Sequence, residues 1–160
     1  MTTIKSRIFL SLSLLWRTYV VYLVYAGVFG LVVGRLFSGM IHGNRNSMLL
    51  MPSIAVVSFA LVLVALEFAG RINLPRVIFG GRLQRSAGQW RAYLLHISLL
   101  FIVLGLLNGL LVFFAPADVW LIFRAYVGPV LFACGVFVIG LVQTPTAPAG
   151  NSSATNSAHS

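Results

Sequence analysis

The sequence predicts an all-α fold, a bundle of four transmembrane helices with both termini in the cytoplasm. Three observations carry this. Of 160 residues, 59% are hydrophobic and only 8% are charged, with a mean hydropathy of +0.99. A soluble domain keeps about a quarter of its residues charged, so lipid must be the solvent for most of this chain. Second, four apolar runs occupy residues 18–37, 48–70, 92–114 and 119–142. Each matches the roughly 20 residues that cross a 30 Å hydrocarbon core at 1.5 Å per residue. Each must be helical, because a backbone in hydrocarbon has to satisfy its own N–H and C=O groups. Third, the basic residues are unevenly placed. Lys5, Arg7, Arg17, Arg71, Arg76, Arg82, Arg85 and Arg91 fall on one side, against Arg35, Arg45 and Arg124 on the other. The positive-inside rule makes the richer side cytoplasmic. It also explains the net charge of +9 without nucleic acid, which is not expected as a partner.

The elements follow in order. Lys5 and Arg7, followed by IFLSLSLL, imitate a signal peptide, but Trp16-Arg17 stands where a small-residue cleavage site belongs. Residues 1–17 are therefore expected as an uncleaved interfacial segment, with Ile4, Ile8, Leu12, Leu15 and Trp16 at helical spacing. The transmembrane domain spans residues 18–143. Residues 38–47, with Gly39, Gly43 and Asn44, make a short loop after helix one, and residues 71–91 a longer basic loop after helix two. Residues 115–118 form a tight turn, with Asp118 as a candidate N-cap for the last helix. Inside that helix, Pro129 lacks the N–H that would bond the carbonyl of Ala125, so a kink is expected. The tail, residues 144–160, reads TPTAPAGNSSATNSAHS, can bury nothing and is expected to be disordered.

Helices one and three echo each other. Trp16-Arg17-Thr18-Tyr19 returns as Trp90-Arg91-Ala92-Tyr93 at an offset of 74, and Gly30/Gly34 return as Gly105/Gly109 at 75. A tandem repeat of two helical hairpins would produce this. So would two independent solutions of one interface, since Trp and Arg both suit the headgroup level. Ala26, Gly30 and Gly34 form a small-residue stripe on helix one, and Ser98, Gly105 and Gly109 form one on helix three. Small residues let helix backbones approach closely where lipid offers no hydrophobic drive. The leading expectation is that these two faces pack on each other. The other is that one is a seam for a second copy or a partner helix.

Residues able to carry chemistry are few. Two carboxylates, Glu67 and Asp118, are expected on opposite sides of the membrane, which excludes paired acid–base work. Glu67 is an intramembrane candidate for proton coupling, or a structural partner of Arg71 at i+4. His96 sits one turn inside helix three, and Asn108 beside the Gly105/Gly109 face. Arg124 lies inside the far end of helix four, where it can line a polar vestibule or snorkel outward. Cys134 is a lone mid-helix thiol, and no His/Cys cluster suits zinc. No catalytic residue, cofactor or metal is expected, and an enzyme is not the expected class. The basic loop, with Arg71, Arg76, Arg82, Arg85 and Arg91, suits contact with anionic lipid or a partner, or serves topology alone.

The leading functional expectation is a small polytopic protein that binds other membrane components, as an accessory subunit, assembly factor or membrane-resident inhibitor. The alternative is a small oligomeric transporter or channel with Glu67, His96, Asn108 or Arg124 on the path. The expected home is a bacterial cytoplasmic membrane. The expected partners are the bilayer and either another membrane protein or a second copy.

Overall fold

The computed structural model describes residues 4–38, 45–79 and 86–142. Its helices are α1 (Ile4–Leu36), α2 (Arg45–Phe68), α3 (Leu74–Phe79), α4 (Ala87–Phe114), α5 (Ala117–Ile122) and α6 (Gly128–Val142). One widened π turn, Phe123–Val127, joins α5 to α6. Four stretches are long and apolar enough to cross a membrane: Ile8–Leu36, Asn46–Phe68, Ala87–Phe114 and Ala117–Val142. The protein is thus an all-α, multi-pass integral membrane protein, with α5, the π turn and α6 making one span. Its outward side chains agree, since Phe9, Leu31, Phe113, Phe114 and Val142 are all exposed. A water-facing surface does not carry such a continuous apolar coat.

Local chemistry sets the element ends. Ser86 opens α4 with a capping box. Its hydroxyl accepts from the Gln89 N–H at 3.3 Å, and its own N–H donates to Gln89 Oε1 at 3.1 Å. Asn73 Oδ1 accepts from the Arg76 N–H at 2.9 Å and so caps the short α3. Asp118 is not the cap expected of it. Pro116 holds that position, and Asp118 lies in the first turn of α5, where a carboxylate suits the positive end of the helix dipole. The π turn answers Pro129. Its ring would collide with the carbonyl four residues back, so the preceding turn widens and the Gly128 N–H bonds Phe123 O instead. The helix expected from residue 18 begins at Ile4, continuous with the segment expected at the interface.

The helices pair as α2 with α4 and α1 with α6, with α4 also meeting α6 and α1 touching α2 more lightly. The core lies where α2, α4 and α6 converge: Phe59, Ala60, Leu63, Leu94, Ile97, Phe101 and Val136. A smaller cluster of Leu14, Trp90 and Tyr93 joins α1 to α4.

The two glycine faces do not meet. A Cβ added at Gly30 or Gly34 would touch nothing within 4 Å. At Gly105 it would lie 2.6 Å from Val57 Cγ2 and 3.2 Å from Ser53 O, and at Gly109 3.7 Å from Ser53 Oγ. The α4 glycines therefore close on α2, and the α1 stripe is left open. Other close approaches occur at Gly140, where a Cβ would lie 2.8 Å from Ser11 Cα, and at Gly135 against Leu100.

Candidate functional site

Between the four spans lies a cleft of about 830 Å³. Its walls come from the first half of α1, the start of α2, the middle of α4, and the π turn with the start of α6. Both helix-interior prolines, Pro52 of α2 and Pro129 of α6, face it. Each removes a backbone N–H from its helix ladder, and such sites bend helices. The cleft thus lies beside two prolines, one of which sits just after the observed π turn. Tyr22, Phe101 and Phe132 line the cleft in successive ring contacts, with centroids 5.3 and 5.4 Å apart, and the buried Phe59 backs them at 5.6 Å from Tyr22 and 5.0 Å from Phe101.

Two of the polar residues singled out in the sequence, Asn108 and Arg124, line this cleft. Asn108 is buried and donates its side-chain amide to Ser53 Oγ at 2.7 Å, which ties α4 to α2 beside Gly105 and Gly109. Arg124 lies in the π turn, with its guanidinium carbon 5.4 Å from the centre of the Trp120 ring. That is within cation–π range. Tyr22 lines the same cleft.

The remaining residues are dispersed. Glu67 does not pair with Arg71. The α2 helix ends at Phe68, the Ile72 N–H reaches back to Leu66 O at 2.9 Å, and Arg71 takes the left-handed conformation with φ 52°. That chain reversal, a common helix ending, removes Arg71 from the helical i+4 position. Arg91 of α4 replaces it, with Nε 3.8 Å from Glu67 Oε1 and its guanidinium 4.5 Å from the Phe68 ring centre. Glu67 Oε2 is buried with no hydrogen-bond partner. His96 faces outward from α4, its Nδ1–H donating to Ala92 O at 2.6 Å. Cys134 also faces outward. Ser98 is buried, and its hydroxyl has no hydrogen-bond partner. Ala26 is half-buried on α1, while Arg71, Arg76 and Arg91 are exposed. Arg82 and Arg85 lie outside the described residues, as do the glycine-bearing loop of residues 39–44 and the tail.

The sequence reading missed several contributors. Thr18 Oγ1 and Tyr93 OH share a buried hydrogen bond of 2.9 Å, joining the two echoed motifs directly. The Tyr25 hydroxyl donates to Ser58 Oγ at 2.8 Å, which in turn donates to Ala55 O. Trp120 is buried, and its indole N–H has no partner. A Ser-x-x-Gln search would have found the α4 cap. No local signal marks the hydroxyl pairs, whose members are 33 and 75 residues apart.

The protein is thus a small helical membrane protein with buried polar side chains joined by internal hydrogen bonds and one ion pair among the described residues. No protein-family model, no curated protein and no solved structure matches this chain.

Proposed function

We propose that the protein is a small transporter or channel of the cytoplasmic membrane, acting as an oligomer, with Asn108 and Arg124 on its path and an anion as its cargo. One observation carries this reading: a cleft of about 830 Å³ that holds both residues between the spans. An ionisable side chain inside a membrane span is costly and by default marks a substrate or ion route. A fixed guanidinium selects for negative charge. At the other end of the bundle, Glu67 keeps one carboxylate oxygen buried and unpartnered beside Arg91. It is the group through which proton coupling would act. His96 is left off the path because it faces outward.

The test is flux through reconstituted vesicles. Purified protein is placed in liposomes, and uptake of chloride and of short-chain carboxylates is followed under a pH gradient. Protein-dependent uptake that is lost in Arg124→Glu and uncoupled from pH in Glu67→Gln is the expected result. Empty and loaded vesicles behaving alike toward every anion would remove the reading.

A second reading, a subunit that binds another membrane protein, keeps one specific support. Gly27, Gly30 and Gly34 of α1 are open, with nothing of this chain within 4 Å of an added Cβ. Under that reading the stripe seats a partner helix, and neither reading requires enzymatic chemistry.

A further inference from the structure

We propose that the cleft holds one anionic phospholipid of the surrounding bilayer, its phosphate at Arg124 and an acyl chain along the apolar wall. The inference deepens the transport reading, because it names the anion that the same site accepts.

Charge comes first. Arg124 brings a guanidinium into the Ala117–Val142 span. The chain has only two acids, Glu67 and Asp118. The one ion pair among the described residues is Glu67–Arg91, and no carboxylate pairs with Arg124. Arg124 is exposed within that span, and a cation in a membrane span without a counter-charge of its own is costly, so an anion from outside the chain is favoured beside it.

The neighbouring polar groups are donors. The Trp120 indole N–H is buried without a partner, on the ring whose centre lies 5.4 Å from the Arg124 guanidinium carbon and behind the cleft wall. The Tyr22 hydroxyl, also on the cleft, has no hydrogen-bond partner among the described residues. A cation with uncommitted donors around it suits a group made of acceptor oxygens, as a phosphate is.

The rest of the wall decides between a hydrated anion and an amphiphile. Leu15, Leu23, Phe101, Leu104 and Phe132 offer no hydrogen bonds. A small anion gains nothing from them beyond the charge of Arg124, whereas an amphiphile also uses the apolar wall. An acyl chain loses nothing there. Arg124 lies six residues beyond Asp118, about 9 Å by helical rise, a depth from which an arginine reaches the headgroup level. Leu12, Trp16 and Leu23 line the cleft and are exposed, so its α1 wall is open enough for a lipid to reach it. The volume falls within the range of sites that enclose most of a ligand.

Native mass spectrometry tests this. Protein reconstituted in equal phosphatidylglycerol and phosphatidylcholine is extracted gently, and the lipid retained per chain is counted. The expected result is one phosphatidylglycerol, retained in preference to phosphatidylcholine. Arg124→Gln should cut that preference about tenfold, the order of a lost charge-assisted hydrogen bond. Arg35→Gln, an exposed arginine away from the cleft, should leave it unchanged. Ala133→Phe fills the apolar wall while keeping the charge, and should abolish retention. It decides the matter if Arg124→Gln fails to survive extraction. Equal retention of both lipids, or an equal loss in Arg124→Gln and Arg35→Gln, overturns the proposal, as does undiminished retention in Ala133→Phe. Binding without flux would remove the transport reading alone, and chloride flux without lipid retention would remove only this inference.

Discussion

Helices α1 and α4 carry the same letters and live in different surroundings. Trp16 is 66% exposed and Trp90 1%; Tyr19 is 42% exposed and Tyr93 1%. Gly30 and Gly34 face open space, whereas Gly105 presses on the side chain of Val57. The coarse pairing is alike in the two halves: exchanging α1 with α4 and α2 with α6 turns the α2–α4 contact into the α6–α1 contact. The inner detail is not alike, since the close-approach glycine of one pair is Gly105 on α4 and that of the other is Gly140 on α6. What differs is the number of neighbours. The α4 helix packs against α2 and α6 and receives side chains from α1, while on α1 the glycine face is open and Tyr22 and Tyr25 touch α2 from the other side. A motif therefore specifies what a residue is able to do at a membrane interface, and the helix's place in the bundle decides whether it does so.

The comparison can be broken most forcefully at the tryptophans. Trp90→Ala should destabilise the fold by about 3–5 kcal/mol, the cost of emptying a packed aromatic site, while Trp16→Ala should change it little. Reversible unfolding in mixed micelles measures both. Equal losses would mean that α1 is as enclosed as α4.

The glycines give the next largest effect. Gly105→Leu must displace Val57 and the Ser53 backbone and should cost about 1–3 kcal/mol. Gly30→Leu with Gly34→Leu should stay within about 0.5 kcal/mol in the isolated chain. Loss of a co-purifying protein in that double variant, with unfolding unchanged, would sharpen the contrast by showing that the open stripe serves a partner.

The smallest effect lies where the two motifs touch. Thr18→Val and Tyr93→Phe each remove one side of the buried 2.9 Å hydrogen bond. A double-mutant cycle should return a coupling of about 0.6 kcal/mol, the average for such bonds within membranes. A coupling of zero would mean that α1 and α4 are held together by the Leu14–Trp90–Tyr93 packing alone.

The spans were legible because apolar length is a local property of the chain. The neighbours were not, and the reason is physical. In water a helix shows its buried stripe by contrast with a polar face, but here both faces are apolar. Exposed Leu31 and buried Leu94 are the same residue type. Glycine spacing was the substitute signal, and it found the α4 face correctly while pairing it with the wrong helix. The position of Arg124 within a span was legible because a charge inside an apolar run stands out. The partner of Glu67 was not, because it depends on where α2 ends. One left-handed residue at Arg71 passes the contact to Arg91, 24 residues from Glu67.

The α1–α6 pairing has a consequence for biogenesis. The first helix made finds its main neighbour in the last. Roughly a hundred residues separate the end of one from the end of the other, which at ribosomal speed is about 5–20 s. During that interval Ser11, whose site is closed by Gly140, has no α6 to cover it, and Thr18 must wait for Tyr93. The newborn α1 therefore resides in the membrane as a half-finished surface. Whatever shelters it then, whether the insertion machinery or a waiting subunit, competes for the same face that the finished protein later closes.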